Sequence, residues 1–120
     1  MKSFFKSFLF AINGIKLSFL QRNFKIHVAC AIIGVIGGVM LHINLTEWCI
    51  ILFCIGLVIS LEMINTAIEQ LVDLIEPNYN PKAGAIKDVA AGAVLVSSVI
   101  SAIIGVMIFG KYILDLLFTY

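Results

Sequence analysis

The chain has 120 residues, of which 62% are hydrophobic and 12% are charged, and its formal net charge is +1. So apolar a composition excludes an ordinary water-soluble domain, and the few scattered basic residues exclude a nucleic-acid-binding surface. The length fits one domain, so residues 1–120 are predicted to form a single membrane-embedded unit. The three cysteines lack metal-ligand spacing and are interpreted as small apolar side chains.

The first predicted element is an amphipathic helix over residues 3–20. Apolar side chains recur there at helical spacing, and most of the lysines fall elsewhere on the circumference. This pattern is typical of a helix that lies in the headgroup layer of a membrane, although an ordinary packed helix has it too. The positions that define the apolar face are Phe4, Phe5, Phe8, Ile12, Ile15 and Phe19.

Three longer apolar segments follow, each close to the length of about 20 residues that a helix needs to cross a bilayer. They cover about 26–45, 48–68 and 86–109. Gly34 and Gly38 in the first segment form a small-xxx-small pair, which is expected to allow close helix approach. The chain is therefore predicted to be an all-α membrane protein with a surface helix and three transmembrane helices.

Two prolines frame the loop between the second and third spans. The helical pattern of the second span continues to Glu76, and Pro77 is expected to end it. Asn80 is predicted to cap the following helix, with Pro81 in its first turn.

The basic residues predict how the chain is oriented in the membrane. Lysines and an arginine precede the first span, and Lys82 and Lys87 border the second loop, whereas the first loop has no lysine or arginine. By the positive-inside rule, the N-terminus and the second loop are predicted to be cytoplasmic and the C-terminus outside. The predicted location is the inner, or cytoplasmic, membrane.

Five polar residues lie at the cytoplasmic end of the second span, and we call them the acidic row. Their offsets from the first, 3, 7, 11 and 14 residues, place them within a stripe of roughly 80° on one helix face. A charge at a bilayer centre costs on the order of 3 kcal/mol, and less near the edge, so such residues need a partner, a metal or a function. A structural ion network would explain one of them, but a functional site is favoured for the whole row. The row consists of Glu62, Asn65, Glu69, Asp73 and Glu76.

Acids at this depth meet both a lipid headgroup and cytosolic solutes. Glu69, with other acids, can hold Mg²⁺ that bridges nucleotide phosphates, and Glu62 can take the proton from a lipid hydroxyl. Lys87 enters from the same side and can neutralise phosphate charge. The sequence has no glycine-rich nucleotide motif, so the residues alone leave a lipid kinase as one candidate among several.

Two alternatives to an enzyme are a subunit that relays protons or cations and a structural subunit. A conducting path is expected to have polar residues at several depths, whereas the outer half of each span here is apolar. If the chain were a purely structural subunit, the presence of the acidic row would be unexplained. The sequence therefore favours chemistry at the membrane interface.

Two sequence blocks resemble a known family. Glu62-Met63-Ile64-Asn65-Thr66-Ala67-Ile68-Glu69, followed by Asp73, is similar to the signature of the small bacterial membrane kinases, the prokaryotic diacylglycerol kinases and undecaprenol kinases. Lys87-Asp88-Val89-Ala90-Ala91-Gly92-Ala93-Val94-Leu95 is similar to their second block, and Asn23-Phe24-Lys25-Ile26-His27 to the entry of their first span. The resemblance covers nearly the whole chain. It implies ATP-dependent phosphorylation of undecaprenol or diacylglycerol by a homotrimer whose subunits share active sites at the cytoplasmic interface.

The resemblance also implies roles for individual side chains. Glu62 would be the catalytic base that contacts the lipid alcohol, with Asn65 as its polar neighbour in the catalytic site. Glu69 would bind Mg²⁺ and contact the nucleotide. The other nucleotide-binding residues would be Asp73, Asn78, Tyr79, Asn80, Lys87 and Asp88.

One position departs from the family pattern. The family usually has a metal-binding glutamate three residues before the phenylalanine that matches Phe24, and this chain has Gln21 there. A glutamine oxygen can still ligate Mg²⁺ but brings no charge, so the metal affinity is expected to be lower. The short second loop and the Asn-Phe-x-Ile-His element look more like the undecaprenol kinase branch.

Overall fold

The computed structural model describes residues 1–119, and these form four α-helices. They are α1 (Lys2–Ser18), α2 (Arg22–Met40), α3 (Leu45–Ile75) and α4 (Pro81–Phe118). Each of the last three is long and apolar enough to cross a membrane. The prediction of an all-α chain with three helices able to span a membrane is confirmed.

The helix α1 adds little to the core of the chain. Within it only Ser18 is buried, and the phenylalanines at positions 4, 5 and 8 are each more than half exposed. At the junction with α2, the ring of Phe19 packs edge-on against Phe24, the most deeply buried large side chain. The N-terminal helix is thus anchored at its C-terminal end, and the rest of its apolar face is free to contact something outside the chain.

The helix α2 ends at Met40, whereas the predicted first span runs to about 45. The chain turns because His42 takes a left-handed conformation, with a φ of 52°. The N–H of His42 donates to the carbonyl of Val39, and the N–H of Ile43 donates to the carbonyl of Gly38. This is a Schellman motif, which ends many helices and usually has glycine in the left-handed position.

The helices α3 and α4 form an antiparallel hairpin with polar side-chain contacts between the helices at both ends. At one end, the Lys111 ammonium lies 2.5 Å from Glu47 Oε1, and the Tyr112 hydroxyl donates to Glu47 Oε2 at 2.6 Å. At the other end, Lys87 forms an ion pair with Asp73. Both pairs belong to the same antiparallel register, so the hairpin cannot slide without breaking them.

Asparagine caps begin both helices of the hairpin. The Asn44 side chain accepts from the N–H of Glu47 at 2.9 Å, and the Glu47 carboxylate accepts from the N–H of Asn44 at 3.1 Å, which completes a capping box. The Asn80 side chain accepts from the N–H of Lys82 at 2.9 Å, and Pro81 opens α4. The predicted cap at Asn80 is confirmed.

Most large apolar side chains of the described residues are exposed. A soluble chain rarely exposes apolar surface this extensively, so lipid or another protein must cover it. The chain is also elongated, with extents of 61 × 44 × 21 Å, and its buried core is small for its length. The buried apolar side chains are those of Phe24, Ile43, Ile51, Cys54, Val58 and Val94.

Gly38 marks the close approach of α2 to the start of α3. A methyl group added there would lie 2.8 Å from the Trp48 ring and 3.0 Å from the Ile43 side chain. At Gly34, one turn earlier, no atom lies within 4 Å of the equivalent position. Within the described residues, only one member of the predicted small-xxx-small pair therefore makes a close contact, and it is with side chains of the following segment.

We predict that Gly38→Ala destabilises the protein by about 1–3 kcal/mol, because the added methyl group overlaps the rigid indole of Trp48. Gly34→Ala is the matched control in the same helix. It meets open space and should leave stability unchanged or raise it by about 0.5–1 kcal/mol. Thermal unfolding of both variants in detergent micelles measures the difference, and equal midpoints would contradict the contact.

Candidate functional site

The residues of the acidic row differ in burial along α3. Glu62 and Asn65 are buried, Glu69 is half-buried and Asp73 is exposed. Glu76, the C-cap residue of α3, is half-buried. A carboxylate and an amide thus lie inside the chain, where polar groups need partners, while the later acids reach the surface.

His27 of α2 faces Glu62 across the interface between α2 and α3. The His27 Nε2 atom lies 3.6 Å from Glu62 Oε2, which is within ion-pairing range but longer than a direct hydrogen bond. The His27 side chain is 21% exposed, against 4% for that of Glu62. Periodicity alone did not predict this pair, because it depends on how two helices cross.

Asn65 connects the buried part of the row to Glu69. Its Nδ2 atom donates to Glu69 Oε1, one helical turn further on, at 3.2 Å. Its Oδ1 atom is buried and has no hydrogen-bond partner among the described residues. Leaving a buried acceptor unsatisfied costs roughly 1–3 kcal/mol, so this atom is available for a donor from outside the chain.

Asp73 and Lys87, both predicted to bind nucleotide, form an ion pair with each other. The side chain of Lys87 is 34% exposed and that of Asp73 is 63% exposed. An exposed pair of this kind contributes about 0–1 kcal/mol to stability, so the lysine can turn to another anion at little cost.

The remaining predicted nucleotide-binding residues lie around the loop between α3 and α4. Asn78, Tyr79 and Asp88 are exposed, and Tyr79 is 94% exposed. The Asn80 side chain differs from them because it is engaged as the cap of α4. The structure therefore groups these residues at the end of the hairpin that also carries Asp73.

The two predicted metal ligands lie on different helices. Glu69 is half-buried on α3, and Gln21 is the half-buried N-cap residue of α2, whose side chain makes no cap hydrogen bond. Across residues 1–119 no group of three or more histidine, cysteine, aspartate or glutamate side chains is placed to hold a metal ion. Mg²⁺ is commonly held by only one or two carboxylates, with substrate phosphates and water as further ligands. The oxygen atoms of Glu69 and Gln21 fit that chemistry.

An apolar cavity of about 350 Å³ opens between α2, α3 and α4. Its lining includes His27 at one end and Phe109 of α4 towards the other. Small side chains leave the space open, among them Gly34, Ala102 and Gly105. His27 lines the cavity and also faces Glu62, so the buried carboxylate lies next to a residue of the cavity wall, although it does not itself line the cavity.

A buried acid and an apolar cavity between helices long and apolar enough to span a membrane are features of a membrane-embedded protein. Comparison with known sequences gives the family. Residues 9–109 match the sequence model of the prokaryotic diacylglycerol kinases, and the chain belongs to that family.

Individual relatives agree with this assignment. The undecaprenol kinase of Bacillus subtilis (strain 168) is 48% identical over 110 residues, which cover 91% of this chain and 89% of the relative. A diacylglycerol kinase of Synechocystis sp. is 36% identical over 101 residues, covering 82% of this chain and 58% of the relative. A diacylglycerol kinase of Helicobacter pylori (strain J99) is 28% identical over 118 residues, which cover 98% of this chain and 89% of the relative.

Family membership confirms the resemblance seen in the sequence, and with it the prediction of a lipid kinase that acts on a membrane lipid alcohol. It does not favour a proton-relaying or purely structural subunit. The sequence reasoning missed the pairing of His27 with Glu62, the free oxygen of Asn65 and the cavity. Only the Asn-Phe-Lys-Ile-His block gave a signal for the first of these, since it ends at His27.

Proposed function

We propose that this chain transfers the terminal phosphate of ATP to the hydroxyl of undecaprenol, at the cytoplasmic face of the inner membrane, with Mg²⁺ as cofactor. The observation that carries the proposal is the buried Glu62 carboxylate 3.6 Å from His27, which lines the apolar cavity. Sequence identity favours undecaprenol over diacylglycerol as the substrate. The undecaprenol kinase of Bacillus subtilis is 48% identical to this chain, whereas the diacylglycerol kinases of Synechocystis sp. and Helicobacter pylori (strain J99) are 36% and 28% identical.

The cavity is the proposed site for the chain of the lipid. Its apolar lining suits a hydrocarbon, and a lipid that entered it with its hydroxyl towards His27 would bring that hydroxyl to the Glu62 end. A volume of about 350 Å³ holds only part of a long polyprenol, so the remainder would lie in the bilayer. Apolar packing then supplies affinity, and the polar end fixes which atom reacts.

Glu62 is the proposed catalytic base. Its carboxylate takes the hydroxyl proton while the lipid oxygen attacks the terminal phosphorus of ATP, and ADP leaves. Asn65 supports the site from the next turn, because its Nδ2 atom orients Glu69 and its Oδ1 atom remains free for a hydroxyl or water donor.

Glu69 and Gln21 are the proposed ligands of Mg²⁺, which when bound offsets the negative charge of the nucleotide phosphates. Lys87 is proposed to leave Asp73 for a phosphate oxygen, a more highly charged partner. Asp73 and Asp88 flank the nucleotide, and the loop residues Asn78, Tyr79 and Asn80 cover it.

The same proposal includes the assembly and the orientation. The exposed phenylalanines of α1 suit a helix lying in the headgroup layer, and the exposed apolar faces of α2, α3 and α4 suit contact with lipid and with further copies in a homotrimer. The N-terminus and the α3–α4 loop face the cytoplasm, where ATP is available, and the C-terminus faces outside.

Phosphate transfer in mixed micelles tests the activity. With ATP labelled on its terminal phosphate and Mg²⁺ present, we expect label to enter undecaprenol faster than diacylglycerol. Glu62→Gln keeps the shape of the side chain but removes the base, so kcat should fall about 10²- to 10⁴-fold. Glu76→Gln is the matched control: Glu76 is the last member of the row, lies at the C-cap of α3 about four turns from Glu62 and has no role in the proposed mechanism, so this variant should keep its activity.

Two outcomes would contradict the proposal. If neither lipid accepted label at any Mg²⁺ concentration, the chain would not be a lipid kinase of this kind. If Glu62→Gln transferred phosphate at the rate of the unaltered protein, Glu62 would not be the base.

The role of Lys87 is tested by Lys87→Gln. We expect KM for MgATP to rise roughly tenfold, because a charge-assisted phosphate contact is lost, with the lipid KM unchanged. The unfolding free energy should change by less than about 1 kcal/mol, since the pair with Asp73 is exposed. Lys82→Gln, one turn earlier in α4, is the control, and an equal effect of both changes on KM would show a general charge effect.

The proposal that the cavity binds the lipid is tested by Ala102→Leu, which places a bulky side chain in the cavity wall. We expect the KM for undecaprenol to rise, and the KM for MgATP to stay unchanged, because only the lipid site is narrowed. Ala93→Leu adds the same volume on the opposite face of α4 and is the control. Steady-state kinetics with varied lipid would contradict the assignment if both variants kept the KM of the unaltered protein.

A further inference from the structure

His27 is an ionisable side chain to which the proposed mechanism gives no role. It faces Glu62 from the neighbouring helix, lines the cavity and is more exposed than the carboxylate it faces. The cavity lining holds no lysine, arginine, aspartate or glutamate, and its other ionisable side chains are Cys30 and Cys54. Within the described residues, Glu62 is the one carboxylate that pairs with His27.

The burial of Glu62 creates a problem for turnover. Each phosphate transfer leaves a proton on its carboxylate, and that proton must reach solvent before the next lipid can react. With 4% of its side chain exposed, Glu62 has almost no surface of its own from which to release a proton, whereas the His27 side chain, near the start of α2, is 21% exposed. An imidazole ring has two nitrogens, so it can accept a proton at one and release a proton from the other, which suits it to carry a proton between a buried acid and water.

We propose that His27 relays the proton from Glu62 to the cytosol in each catalytic cycle, a role that rests on the function proposed above. The lipid O–H bond breaks and its proton passes to Glu62, while the lipid oxygen bonds to the terminal phosphorus and ADP departs. The proton then moves from Glu62 to Nε2 of neutral His27 and from the imidazolium to water. Both side chains return to their starting state, and no further reactant is needed.

The distance between the two side chains suits this role. At 3.6 Å, the Nε2 and Oε2 atoms are slightly too far apart for a strong hydrogen bond, and a small side-chain rotation would close the gap. The pair can therefore join for proton transfer and separate again, so that Glu62 stays free to receive a hydroxyl proton. His27 acts through Glu62 and is a positioning and relay residue, since the phosphoryl transfer itself occurs at the lipid oxygen.

Steady-state kinetics of His27→Ala and His27→Gln test the relay in the full-length protein in mixed micelles. Both variants should lose about tenfold or more in kcat while the lipid KM changes by less than twofold, since proton removal is slowed and binding is not. Added imidazole should restore kcat to His27→Ala, because the deleted ring leaves space beside the cavity. It should not restore Glu62→Gln, which lacks the proton acceptor itself.

Matched measurements separate a relay from a structural role. His42→Asn is the control at the other histidine, where asparagine tolerates the left-handed backbone, and its kcat should equal that of the unaltered protein. Thermal midpoints of both His27 variants show whether they fold, and His27→Gln keeps most of the side-chain volume if His27→Ala does not fold.

Failure of the proton relay and failure of the proposed kinase function would give different results in these experiments. An unchanged kcat in both His27 variants, a rise in lipid KM without a fall in kcat, or a fall in kcat that imidazole fails to restore would each overturn the relay while leaving the kinase intact. An unaltered protein that phosphorylates no lipid would instead overturn the proposed function.

Discussion

A carboxylate buried between apolar helices is the constraint on which the rest of this structure depends. Removing the charge of Glu62 from water is unfavourable, and His27 is the polar side chain that the neighbouring helix places opposite it, 3.6 Å away. The pairing requires α2 to lie against α3 at one level, with the cavity bordering both helices. The proposed lipid site and the proposed catalytic base thus depend on the same packing of α2 against α3.

The α3–α4 hairpin carries the side chains that are proposed to bind the nucleotide. Glu47, Lys111 and Tyr112 fasten one end, and the pair of Asp73 with Lys87 fastens the other. The first cluster is partly buried and fixes the register, whereas the second is exposed and can exchange partners with a phosphate. Between them, residues 48–61 of α3 and 89–110 of α4 carry no charge, as expected of a chain that crosses a bilayer, and Glu62, Asn65 and Glu69 follow on the side of Asp73.

Local signals in the sequence predicted much of this arrangement. Apolar length predicted the three long helices, Asn80 and Pro81 predicted the start of α4, and the helical spacing of the acidic row predicted a polar stripe ending in solvent. Contacts between helices could not be predicted from the sequence, because periodicity shows which face of a helix is polar but not which other helix that face contacts. His27 opposite Glu62 is the main example, and the cluster around Glu47 is another. The end of α2 was missed because His42 occupies a left-handed position that usually belongs to glycine.

We expect the acidic row and the α3–α4 loop to face the compartment that contains ATP. Labelling with a membrane-impermeant maleimide measures this orientation in a protein carrying Cys30→Ala, Cys49→Ala and Cys54→Ala. With Tyr79→Cys added, whose parent side chain is 94% exposed in the loop, labelling should occur in inverted membrane vesicles and not in intact cells. With His42→Cys added instead, the opposite result is expected. Labelling of Tyr79→Cys from outside intact cells would place the acidic row on the side of the membrane that lacks ATP, and the proposed kinase site would then be wrong.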